Sequence, residues 1–163
     1  MKKVIIYTDG ACSGNPGAGG WAAILIYGTA KKEISGGTVN TTKNRMELTA
    51  AIEALKMLKE PCMVDLHSDN AYMVNAFNND WIASWKKRAI DFDGKKIWIN
   101  SSKKAVENQD LWKELCALVD KNNVKFVHVN GHSNNEYNEM CDTLAVYQRD
   151  LFKKQAENEK LVK

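Results

Sequence analysis

The chain has 163 residues, of which 44% are hydrophobic and 26% charged, and its formal net charge is +3. This composition predicts one globular domain and, with only 2 prolines and 10 glycines, excludes a collagen-like or low-complexity chain. No apolar run approaches the roughly 18 residues of a membrane span, and the first apolar stretch ends at Thr8, too early for a signal peptide. We therefore expect a cytoplasmic protein without a membrane segment, whose four scattered cysteines are free thiols.

The first part of the chain predicts three antiparallel strands. Residues 4–8 and 21–27 are apolar and rich in β-branched side chains, and residues 31–38 alternate weakly, as in an edge strand. Residues 10–20 contain five glycines and a proline, which predicts a tight loop between the first two strands. Strands this close in sequence favour hairpin pairing.

From residue 42 the pattern becomes helical. Leu48, Ile52 and Leu55 lie at i, i+4 and i+7, which predicts a helix that ends before Pro61. The rest of the chain predicts a strand at 62–68, short helices at 71–77 and 81–88, an exposed basic loop at 91–104, a helix at 110–119, a strand at 124–129 and a helix from 139 to about 160, with fraying of a tail at about 153–163.

Helical segments separate the later strands and favour parallel pairing there, whereas the first three strands favour antiparallel pairing. The sequence therefore predicts an α/β fold, with a mixed sheet and helices on its faces. No linker or internal repeat divides the chain, so we expect residues 1–163 to form a single domain.

Four acidic residues occupy positions from which they can converge. Asp9 and Asp69 each follow a predicted strand, Glu47 lies on the first long helix, and Asp142 is expected in the first turn of the last helix. Carboxylates gathered in one place repel one another unless a cation neutralises them, and an all-oxygen ligand set suits Mg²⁺ or Mn²⁺. Taken singly, each acid also fits an ordinary role as a loop cap, a solvated helix acid or a helix-dipole partner.

Two further features suggest chemistry. His132 lies in a polar loop after a strand, where it could move a proton or be an ordinary loop histidine. Residues 81–104, here called the basic segment, carry seven basic and two acidic residues, and three of the five tryptophans. Basic and aromatic side chains together favour a nucleic-acid surface, although the tryptophans could also attach a solvated helix to the core.

Seven motifs resemble the type 1 branch of the ribonuclease H family, in the same order and at fitting intervals, from about residue 4 to 147. They are TDGACSGNPG from residue 8, TTKNRMEL from 41, SDNAY from 68, WKKR from 85, DLW from 110, GH at 131 and NEMCD from 138. The resemblance implies a single-domain, five-stranded mixed sheet with helices on both faces. It also implies an endoribonuclease that cuts the RNA strand of RNA–DNA hybrids with little sequence preference, and leaves 3′-hydroxyl and 5′-phosphate ends.

The same resemblance implies residue roles. Asp9, Glu47, Asp69 and Asp142 match the catalytic carboxylates that bind two Mg²⁺ ions, with Mn²⁺ as a substitute, and His132 matches a mobile catalytic histidine. The matched substrate-binding residues are Cys12, Asn15, Thr42, Asn44, Trp81, Trp85, Lys86, Lys87 and Arg88. The expected partner is the hybrid duplex, with no membrane, and the expected state is a monomer.

The chain departs from the family pattern at Asn70-Ala71, where Ser or Thr followed by Gln is usual, and at Lys43, where Asn is frequent. Ala71 lacks the amide that would contact RNA, and Lys43 adds charge near the phosphate pocket. Glu139 is a candidate acid near one metal. Two rivals remain, a hybrid-binding module without activity and another nuclease of the same fold, such as a DNA-cutting integrase or an exonuclease.

Overall fold

A computed structural model of the chain describes residues 1–131 and 135–162. The strands are β1 Lys2–Cys12, β2 Gly17–Tyr27, β3 Ala30–Thr41, β4 Cys62–Ser68, β5 Ile90–Phe92, β6 Lys95–Ile97 and β7 Asn123–His128. The helices are α1 Lys43–Lys56, α2 Ala71–Asn78, α3 Trp81–Lys87, α4 Gln109–Asp120 and α5 Glu136–Val162.

The main sheet has five strands in the order β3-β2-β1-β4-β7. Strand β1 pairs antiparallel with β2 and parallel with β4, and β4 pairs parallel with β7. Parallel neighbours need a crossover connection. Between β1 and β4 this connection consists of the β2–β3 hairpin followed by α1. The predicted mixed sheet is therefore confirmed.

Helices cover both faces of this sheet because neighbouring residues of a strand point to opposite sides. Ile6 and Ala23 pack with α1, α2 and α4 in the larger core cluster. Ile24 packs on the other face against Cys141 and Ala145 of α5. All four cysteines are free thiols, as the sequence predicted.

Three predictions about local structure are wrong. Strands β1 and β2 extend into the glycine-rich region, so the expected loop at 10–20 shrinks to four residues, 13–16. The expected loop at 91–104 contains a hairpin of β5 and β6, whose turn residues Asp93 and Gly94 both have positive φ. Helix α5 begins at Glu136, so Asp142 is its seventh residue and does not lie in the first turn.

The last helix also continues to Val162 with mostly exposed side chains, through the segment expected to fray. The structure gives residues 153–162 a helical conformation, and their fraying stays a prediction. Among the residues that the structure describes, no helix combines the length and the apolar character that a membrane crossing requires.

Candidate active site

Three carboxylates from three different elements meet at one edge of the sheet. Asp9 of β1, Glu47 of α1 and Asp69, directly after β4, offer oxygen atoms that lie within 4.8 Å of one another. We call these residues the carboxylate cluster. Asp9 is 3% and Glu47 2% exposed, so two of the three acids are almost completely removed from water. Asp9 lies inside β1 and not after it, because β1 is longer than predicted, but the predicted convergence is present for these three acids.

The glycine at position 10 lets α1 approach β1 closely enough to bury Glu47. A Cβ atom at Gly10 would lie 2.6 Å from the backbone nitrogen of Glu47 and 2.8 Å from the carbonyl carbon of Met46. Thr42 is the N-cap of α1, and its Oγ1 atom accepts a hydrogen bond from the Arg45 N–H at 3.3 Å. Glycine and cap together fix where the Glu47 side chain enters the sheet edge.

Burial and neighbouring negative charges raise the pKa of two of these acids, Asp9 and Glu47. Burial, and then the charge of Asp69, raise the pKa of Asp9 from its ordinary 3.8 to about 7. Burial, and then the charge of Asp9, raise the pKa of Glu47 well above its usual range. Such shifts arise when desolvation and like charges disfavour the ionised form, and they are common at functional sites.

Asp142 stands beside this cluster on α5. It lines a pocket of about 290 Å³ together with Asp9 and Asp69. Its charge and a side-chain hydrogen bond contribute to the raised pKa of Asp9. Glu139, the candidate outer acid, lines the same pocket one helical turn earlier. Unlike Asp9 and Glu47, Asp142 is exposed, so it lies on the solvent side of the pocket.

The carboxylate cluster fits a hard divalent cation. The Oε2 atom of Glu47 is buried and has no hydrogen-bond partner among the residues that the structure describes. A buried polar atom without a partner costs free energy, and a bound cation would satisfy it. All of the donors are carboxylate oxygens, the ligand type that Mg²⁺ and Mn²⁺ prefer.

A second, open pocket of about 640 Å³ adjoins the first and contains four of the predicted substrate-binding residues. These are Cys12, Asn15, Thr42 and Asn44. Lys43 and Cys12 line both pockets, so the two form one continuous polar groove. The acid Glu107 also lines the open pocket, and no motif in the sequence indicated this position.

The basic segment exposes its charges and buries two of its four aromatic rings, those of Trp85 and Trp98, whereas Phe92 is exposed. Lys86, Lys87 and Arg88 are exposed at the end of α3. Trp85 is only 4% exposed and packs against Trp112 at a centroid distance of 5.2 Å, which agrees with a structural role. Trp81 is half-buried and packs edge-on against Tyr72 at 5.2 Å. Trp81 therefore retains more surface for a ligand than Trp85 does.

His132 lies outside the described residues, and its role stays a prediction. Sequence reasoning missed two residues of the 290 Å³ pocket, Asn138 and Arg149. Both lie near the face of α5 that carries Asp142, at i−4 and i+7, so helical spacing could have indicated them. Asn138 is buried, and its backbone N–H donates to the side chain of Asn135 at 3.0 Å.

Comparison with known proteins adds an independent finding. The family model described as RNase H matches residues 1–149. A protein from Acetivibrio thermocellus named Ribonuclease H is 58% identical over 145 residues, which cover 89% of this chain and 93% of that protein. A second Ribonuclease H, from Caldanaerobacter subterraneus, is also 58% identical, over 89% of this chain and 90% of its own length.

Solved structures share the fold. LC9-RNase H1, described as a type 1 RNase H with the type 2 active-site motif, has a TM-score of 0.77 and 26% identity, covering 92% of this chain and 73% of that chain. LC11-RNase H1 in complex with an RNA/DNA hybrid has a TM-score of 0.65 and 21% identity, covering 91% and 97%.

Proposed function

The chain belongs to the ribonuclease H family, and from this premise we propose that it hydrolyses the RNA strand of RNA–DNA hybrids with little sequence preference. The observation that carries the proposal is the buried carboxylate cluster, which opens into a groove with a basic segment on the same chain. A related protein of the same fold has been solved with an RNA/DNA hybrid, which supports this choice of substrate.

Asp9, Glu47, Asp69 and Asp142 would hold two Mg²⁺ ions, with Mn²⁺ as a substitute. Two ions bound there supply Lewis-acid stabilisation of the charge that develops on the phosphate during in-line displacement. Water attacks phosphorus, the bond to the 3′ oxygen breaks, and that oxygen gains a proton. The products then carry 3′-hydroxyl and 5′-phosphate ends. His132 is the proposed residue for moving a proton or assisting product departure.

The polar groove would distinguish the strands through sugars and phosphates. Asn15 and Asn44 are small amides suited to ribose 2′-hydroxyl groups, and Thr42 lies beside Asn15 where a phosphate of the DNA strand could bind. Contacts of this kind carry little sequence information. Farther from the carboxylate cluster, the DNA strand would contact Trp81 and the cations Lys86, Lys87 and Arg88.

The first experiment measures cleavage of a labelled hybrid, duplex RNA and duplex DNA, each with Mg²⁺, Mn²⁺ or EDTA. We expect metal-dependent loss of the hybrid's RNA strand alone, with 5′-phosphate products that a phosphatase can dephosphorylate. Asp9→Asn should abolish cleavage and keep hybrid binding, whereas Asp120→Asn, at an exposed position on α4, should change neither.

Binding without cleavage in either metal would identify a hybrid-binding module instead, and cleavage of duplex DNA would identify another nuclease of this fold.

We also propose that residues 1–163 act as a single-domain cytoplasmic monomer. Sedimentation equilibrium should then give the mass of one chain.

A further inference from the structure

The base of the basic segment is attached to α4 through one side-chain amide. The backbone N–H of Trp98 donates to Oε1 of Gln109 at 2.8 Å. The Nε2 atom of Gln109 donates to the Trp98 carbonyl at 3.3 Å and to the Val106 carbonyl at 3.0 Å. A single glutamine thus bonds the backbone on both sides of the turn that closes the segment.

A second attachment lies one helical turn farther along α4. Lys113 donates from Nζ to the Lys96 carbonyl at 2.6 Å. Its ammonium group and that of Lys86 lie 5.7 and 5.5 Å from the centroid of the Trp98 ring. Residues 96 and 98 are two positions apart, so their backbone groups face the same edge of the chain. Gln109 and Lys113 both bond to groups on this edge.

The same turn of α4 is tied to the helix that carries Glu47. Asp110 accepts two hydrogen bonds from the guanidinium of Arg45, at 3.0 and 2.8 Å. Arg45 also donates to Oδ1 of Asn108 at 3.2 Å. Arg45 lies two residues before Glu47 in α1. Hydrogen bonds therefore join α1, which carries Glu47, to the start of α4, and join α4 to the basic segment.

We propose that Gln109 is a positioning residue that holds the basic segment at a fixed place relative to the carboxylate cluster, an inference that rests on the proposed function. A hybrid whose DNA strand binds the exposed cations of the segment must at the same time present a phosphodiester of its RNA strand to the carboxylates. If both sites are fixed before binding, the hybrid does not have to order the segment. Gln109 acts on binding through the backbone of Trp98 and takes no part in the chemistry.

The test compares the wild type with Gln109→Met, which keeps the side-chain length and removes all three hydrogen bonds. We expect KM for the hybrid to rise about 3- to 10-fold and kcat to stay within about 2-fold, since each lost hydrogen bond is worth a small factor in binding. The salt dependence of binding should keep its slope, because the phosphate-binding cations are unchanged. Hydrogen exchange at the Trp98 amide should be faster.

Gln155→Met is the matched control, because Gln155 is an exposed glutamine on α5, far along the chain from the segment. It should leave KM, kcat and Trp98 exchange unchanged. If Gln109→Met does not fold, Lys113→Gln removes the second attachment of the segment to α4 and should raise KM more than Lys121→Gln does.

An unchanged KM, or a fall in kcat alone, would overturn the inference. If the wild type itself does not cleave hybrid, the proposed function fails. The exchange rate of the Trp98 amide then still decides whether Gln109 holds the segment, and unchanged exchange in Gln109→Met would overturn that as well.

Discussion

Gly10 and Glu47 are in backbone contact across the interface between β1 and α1: a Cβ atom at position 10 would lie 2.6 Å from the Glu47 nitrogen. Real Cβ atoms do not approach backbone this closely, so a side chain at position 10 must push α1 away from the sheet. Glu47 would then move relative to Asp9 and Asp69. One glycine therefore sets the geometry of the carboxylate cluster.

Gly10→Ala should lower the free energy of unfolding by about 2–3 kcal/mol, the usual cost of overpacking a core. It should also reduce kcat, since displacement of a carboxylate by about 1 Å can cost on the order of 100-fold in rate. Urea unfolding and steady-state cleavage measure the two effects. Gly28→Ala is the control: Gly28 has φ +58° and no neighbour within 4 Å, so only backbone strain of about 1 kcal/mol is expected, with unchanged kcat.

The metal-free protein should lose stability as the pH rises from 4 towards 8. The pKa of Asp9 is about 7 in the folded state, raised by burial and then by Asp69, against an ordinary 3.8. An acid with a raised pKa stabilises the fold below its unfolded pKa, and that contribution is lost as the pH rises through the folded value. In EDTA, Tm should fall by roughly 5 °C or more over this range.

Mg²⁺ should reverse this loss, because a cation bound only to the folded state stabilises it and favours the ionised carboxylates. Thermal melts in EDTA and in Mg²⁺ at each pH measure the effect. A Tm that does not depend on pH in EDTA would contradict the raised pKa of Asp9.

Glu47→Gln should stabilise the metal-free protein by about 1–2 kcal/mol at pH 8, because burial and then the charge of Asp9 raise the pKa of Glu47 and disfavour its ionised form, whereas an amide carries no charge. The gain should be smaller at pH 5, since a raised pKa costs stability only as the pH rises above the ordinary pKa of the group. Mg²⁺ should stabilise the variant less than the wild type. Glu53→Gln, at a half-buried position paired with Lys56, should change stability by less than about 0.5 kcal/mol.

Much of this architecture could be predicted because local patterns determine it. Strand β4 has the predicted bounds 62–68, since a run of that length fits one strand between two breaks. Asp9 and Asp69 could be predicted to converge because β1 and β4 run parallel, and their pairing ends at Tyr7 and His67, two residues before each acid. The β5–β6 hairpin was missed although Asp93-Gly94 is a turn signal, since charged residues outweighed the short strands.

Contacts between distant polar residues could not be predicted in the same way. Arg45 and Asp110 are 65 residues apart, and each fits a solvated helix position when read alone. Gln109 lies in the first turn of α4, where a polar side chain usually faces water. Only the packing of α4 against α1 and the basic segment gives these side chains their partners.

Replacing all three of Lys86, Lys87 and Arg88 by glutamine should weaken hybrid binding uniformly across sequences and flatten the salt dependence of binding. Each lost phosphate contact lowers the slope of log K against log salt by roughly 0.9. Titrations at several salt concentrations measure the slope. The matched control removes the same charge from the exposed end of α5, in Lys153→Gln, Lys154→Gln and Lys160→Gln, and should keep the wild-type slope.

Glu107→Gln should tighten hybrid binding, because Glu107 puts a negative charge into the groove proposed to hold a phosphate. The pKa of Tyr72, which lines a neighbouring pocket together with Glu107, is raised by burial and then by the charge of Glu107. We expect Kd to fall about 2- to 5-fold at low salt and the difference to vanish at high salt, since exposed charges are screened. Glu157→Gln on α5 removes the same charge elsewhere and should leave Kd within about 1.5-fold. An equal effect of both variants would assign the change to net charge and contradict a specific role for Glu107.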